Sequence, residues 1–173
     1  MNRANLVLIG MPGCGKSTVG VLAAKVLGLD FVDTDLLLQK QQGLRLHEIL
    51  ERDGPSGFLR VEDCLLAGIR LEAAVVSTGG SAVYHQRGME NLKGRGRLVW
   101  IDVPFEEIER RLGDIHSRGV VLAPGQTLKD LYDERRPLYQ KWADHRLEVA
   151  REDLEVTVGR LVGLARPALS LRP

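Results

Sequence analysis

Cysteine is nearly absent. Cys14 and Cys64 are the only two in 173 residues, and they form neither a CxxC pair nor a cluster with histidine. That excludes a disulfide framework and a structural zinc site. An excess of one charge is also lacking, with 24 Lys+Arg against 23 Asp+Glu and a formal net charge of +1. A protein whose task is to coat nucleic acid or an anionic membrane carries a stronger bias. Long hydrophobic runs are missing too: Leu6 to Ile9 is too short for a signal-peptide core or a membrane span. No internal repeat, low-complexity tract or linker interrupts the chain. The expectation is one cytoplasmic, monomeric domain over residues 1–173, with no nucleic-acid or membrane partner.

What is present is an alternation of strands and helices. Leu6-Val7-Leu8-Ile9 reads as a buried strand, followed by a glycine-rich turn and a helix from Lys16 to Leu27 that Gly28 should stop. Phe31-Val32-Asp33, Ala74 to Ser77, Arg97 to Ile101 and Arg146 to Val149 supply four more strands. Leu46 to Arg52 and Phe58 to Leu71 read as helices separated by the breaker Asp53-Gly54-Pro55-Ser56-Gly57. Pro104 should open another, Thr127 should cap one that Pro137 ends or kinks, and Asp153 to Ala165 should close the chain. Gly113 to Gln126 reads as a loop. Such alternation predicts an α/β fold, a five-stranded parallel sheet with helices on both faces.

Gly10-Met11-Pro12-Gly13-Cys14-Gly15-Lys16-Ser17 matches the pattern G-x-x-x-x-G-K-S/T in full, between a predicted strand and a predicted helix. Glycines let the backbone curl so that N–H groups converge on phosphate oxygens, and the helix N-terminus adds positive potential. Lys16 is expected at the β- and γ-phosphates of ATP and Ser17 at Mg2+. Gly13, Cys14, Gly15 and Thr18 complete the nucleotide-binding positions. Asp33-Thr34-Asp35 follows the second strand at the sheet edge where ligands bind. Its carboxylates suit two tasks, one near the metal and one accepting a hydroxyl proton, or else one of them caps the helix Leu36 to Gln41.

Taken in order, these motifs resemble the shikimate kinase family. Phe58…Glu62, Ser77-Thr78-Gly79-Gly80, Arg111, Arg118 and Arg135-Arg136-Pro137-Leu138-Tyr139 extend the resemblance to about Ala143. It implies a P-loop NTPase-type three-layer fold with a helical acceptor-binding segment near 34–72 and a lid near 113–126. It further implies ATP and Mg2+ as cofactors, a small hydroxy acid as substrate and a place in aromatic amino-acid biosynthesis. Ser17 and Asp33 would be the magnesium positions, and Asp35 would hold and activate the acceptor hydroxyl. Arg118 would be the lid arginine at the transferring phosphoryl group. Arg111 would lie against adenine, with Arg110 next to it leaving that assignment open by one. Gly79, Gly80 and Arg135 would bind the acceptor, Arg135 through its carboxylate, and Glu62 would brace the arginines.

Three positions depart from the family pattern. Leu59 stands where an acceptor-binding arginine is usual, Ser81 where a third glycine is usual, and Arg118-Gly119-Val120-Val121 where Arg-Pro-Leu-Leu is usual. Arg60 does not replace the missing cation, because one step along a helix turns the side chain by about 100°. Shikimate is the first acceptor expected. Homoserine is the alternative, since an arginine at 59 would repel its ammonium and a leucine does not.

Overall fold

Leu6, Val7, Leu8 and Ile9 have no exposed surface because the strand they form, β1 (Asn5–Ile9), lies in the middle of a sheet covered on both faces. The computed structural model describes residues 4–112, 120, 122–123, 125–149 and 153–169. The other strands are β2 (Asp30–Asp33), β3 (Ala74–Ser77), β4 (Gly96–Asp102) and β5 (His145–Glu148). They are all parallel, in the order β2-β3-β1-β4-β5. The order turns back on either side of β1, so the loop after β1 faces the cleft where an open α/β sheet binds ligands.

The helices are α1 (Lys16–Leu27), α2 (Thr34–Gln42), α3 (Leu46–Gly68), α4 (Gln86–Arg95), α5 (Phe105–Leu112), α6 (Leu128–Trp142) and α7 (Leu154–Ala168). Gly28 ends α1 in the left-handed region at φ 66°, as expected. The predicted breaker is a sharp kink within α3: Gly54 has φ 67° and ψ 176°, and Pro55 opens the second half. That half ends at Gly68, short of the expected Leu71. α2 and α3 bury their own small cluster of Leu38, Ile49 and Phe58 beside the main core.

Three elements depart from the sequence reading. α6 continues through Pro137 to Trp142 instead of ending there. Asp133, whose carbonyl loses its helical partner, is exposed, so water can take that acceptor. α4 and the 3-10 turn Ala82–Tyr84 before it were not anticipated. Gly88 and Gly94 make the α4 segment a poor helix by propensity. It forms because Met89 and Leu92 are buried and Gly88 lets it approach α3, where a Cβ would stand 2.6 Å from Leu66 Cβ. Among the described residues, no helix is long and apolar enough to cross a membrane.

Candidate active site

The loop between β1 and α1 needs glycine where it turns: Gly10, Gly13 and Gly15 have φ of 147°, 76° and 97°. Lys16 folds its ammonium into the curl, donating to the carbonyls of Gly10 at 2.8 Å and Met11 at 2.9 Å. A side chain on Gly10 would meet Ile101 O at 2.7 Å, so the loop lies directly against the end of β4. Gly13, Cys14, Gly15, Lys16, Ser17 and Thr18 line one end of a cleft of about 600 Å3. Asp35, Gly79, Gly80, Ser81 and Arg135 line the other end.

Asp33 caps α2, one of the roles considered for it, and also binds Ser17. Its Oδ1 caps α2 by accepting from the N–H groups of Asp35 and Leu36, while Oδ2 accepts from Ser17 Oγ at 2.7 Å. Ser17 Oγ also lies 3.1 Å from Ser77 Oγ. A carboxylate and two hydroxyls are hard oxygen donors, the set that suits Mg2+. Ser77 was not singled out as a ligand beforehand. Its position follows from the β2–β3 register, in which Asp33 pairs with Ser77.

Asp35 is pushed up to about 7 by burial, by the neighbouring Glu62 carboxylate and by Asp33, with Lys16 opposing. A Cβ on Gly79 would stand 2.5 Å from Glu62 Oε1 and 2.7 Å from Asp35 Oδ1. Gly79 is therefore the only residue type that lets these two carboxylates flank this wall unmoved. Gly79→Ala is expected to lower kcat/KM for the acceptor about tenfold or more, while KM for ATP changes little. Initial rates with each substrate varied in turn check this.

Arg135 is 2% exposed, yet it lines the same end of the cleft as Asp35. Tyr84 supports it, accepting from Arg135 Nε at 3.2 Å with its ring centroid 5.1 Å from the guanidinium carbon. Tyr84 OH then donates to Glu134. Tyr84 carried no sequence signal, being 51 residues from Arg135. Arg111, rather than Arg110, reaches the phosphate loop, donating from Nη1 to Cys14 O at 3.3 Å. Both arginines bind Glu107, whose carboxyl they hold down to about 2. Leu59 does not line the cleft; it packs on the cluster of Leu38, Ile49 and Phe58, and Phe58 faces the cleft instead. Arg118, Gly119 and Val121 lie outside the described residues, as does much of the expected lid, while Val120 borders the cleft.

The profile of the family described as shikimate kinase matches residues 12–163. The shikimate kinase of Synechococcus elongatus is 37% identical over 166 residues, covering 94% of this chain and 86% of that protein. That of Aquifex aeolicus is 35% identical over 165 residues, covering 95% and 98%. Among solved structures, shikimate kinase from Acinetobacter baumannii in complex with shikimate superposes with a TM-score of 0.84 at 30% identity. That match covers 94% of this chain and 92% of the other. The Aquifex aeolicus enzyme gives a TM-score of 0.79 at 34% identity over 95% and 98%. This five-stranded parallel P-loop chain belongs to the shikimate kinase family, the ATP-dependent kinases that transfer phosphate to a hydroxyl.

Proposed function

We propose that this chain phosphorylates shikimate to shikimate 3-phosphate with ATP and Mg2+. The observation that carries the reading is the cleft itself, which joins a phosphate loop to an acceptor end holding one basic carboxylate, Asp35, and one buried cation, Arg135. The neighbour from Acinetobacter baumannii, solved with shikimate, supports the same acceptor. Arg135 binds the acceptor's carboxylate, and Asp35 takes the proton of the attacking hydroxyl. Lys16 and the loop N–H groups orient the phosphates, and Arg111 borders the base. Ser17 and Asp33 would hold Mg2+, directly or through water, and the bound ion would offset negative charge on the phosphates. By the family resemblance, Arg118 would supply a further cation at the transferring group. All these residues come from one chain, so a monomer suffices, and use of ATP suits the cytoplasm.

A coupled ADP-release assay over shikimate, homoserine and other hydroxy acids tests the acceptor. Shikimate is expected to lead by at least about tenfold in kcat/KM, the value of one charge-assisted contact. Efficient wild-type turnover of homoserine with little of shikimate would overturn the acceptor and leave the kinase standing.

A further inference from the structure

Glu62 is 2% exposed, and the residues one turn away on α3, namely Phe58, Leu59, Leu65 and Leu66, are all apolar. Helix partners meet at spacings of three and four, so α3 offers this carboxylate no cation. A buried carboxylate is costly unless donors take its oxygens. The donors come from the turn after β3: Ser81 Oγ at 2.6 Å and His85 Nε2 at 2.8 Å. Both converge on Oε2. Oε1 is buried without a hydrogen-bond partner among the described residues, against Gly79 and beside Asp35.

We propose that Ser81 and His85 are positioning residues of the acceptor site, clamping Oε2 of Glu62 so that Oε1 stays fixed behind Gly79 and the wall that Gly79 and Ser81 give the cleft keeps its shape. This rests on the kinase reading above. Two donors reaching one oxygen fix rotation of the carboxyl group, which a single donor does not. With the clamp gone, the carboxylate turns against Gly79 and the wall of the cleft shifts. The side chain at Ser81 is thus tied into the wall of the acceptor end, although a glycine would have sufficed for the turn.

The combined variant Ser81→Ala with His85→Leu should raise KM for shikimate about tenfold, with KM for ATP held within about twofold. Ser81→Thr and His85→Gln keep a donor and should stay within about threefold of wild type. An unchanged KM for shikimate in the combined variant overturns the proposal. So does an equal loss in the conservative variants. If wild type fails to turn over shikimate, the proposed function is what falls. The clamp is then read from the 15N signal of the His85 ring in the protein alone, assigned with His85→Gln. A carboxylate-bonded Nε2–H that is lost in Glu62→Gln supports it, and a signal indifferent to that change overturns it.

Discussion

Lys16→Ala is expected to abolish turnover, with kcat/KM falling at least about a thousandfold, or about 4 kcal/mol of transition-state stabilisation. The ammonium is held inside the loop by the carbonyls of Gly10 and Met11, with 7% of the residue exposed. It is pre-positioned where phosphate charge must be met, so little reorganisation is needed when charge builds during transfer. Removing it also leaves two carbonyls short of a donor, so part of the loss will appear as lower thermal stability. Lys16→Met, which keeps most of the packing, separates the two effects. Near-normal turnover in a folded variant would show that the phosphate loop is not where transfer occurs.

Asp35→Asn should cut kcat by about a hundredfold to ten-thousandfold, because the amide keeps the shape but cannot accept the proton. It should also stabilise the protein. The folded carboxyl titrates at about 7 against an ordinary value of 3.8. Between those two values the folded state binds more protons than the unfolded one, so wild-type stability falls as pH rises through that window. Above pH 7 the full penalty for the buried charge is present, up to about 4 kcal/mol. The variant escapes it, so its Tm should exceed that of wild type at pH 8, with the gap closing toward pH 4. The same titration makes wild-type kcat/KM for the acceptor fall as pH drops below about 7. Equal melting curves at both ends of the range would mean that Asp35 is not held in its neutral form. A severe Asp33→Asn with a mild Asp35→Asn would exchange their roles.

Much of the architecture could be read before any coordinates, because the signals are local. The phosphate loop, Gly28 as a stop, Thr127 as a cap and the five strands each depend on a few neighbouring residues. Backbone conformation and capping are decided within a turn, and buried parallel strands announce themselves as continuous apolar runs. Asp33 and Asp35 could be recognised as a pair but not apportioned, since capping and metal approach both fit an acidic residue at a strand end. Only the packing of β2 against β3 brings Asp33 to Ser17 and Ser77.

What could not be read is long-range. α4 is a weak helix that exists because α3 receives it at Gly88, and α6 passes through Pro137 where the local rule would stop it. Arg110 and Arg111 are equivalent by composition, and the direction in which α5 leaves β4 sends Arg111 to the phosphate loop. Glu62, Ser81, His85 and Arg135 come from α3, the turn after β3 and α6, and no spacing rule connects them. Motif and order along the chain were enough for the family and its chemistry, because phosphate binding is encoded in one loop. The shape and charge of that end of the cleft were settled by how α3 and α6 pack on the turn after β3, because a buried carboxylate takes whatever donors that packing delivers.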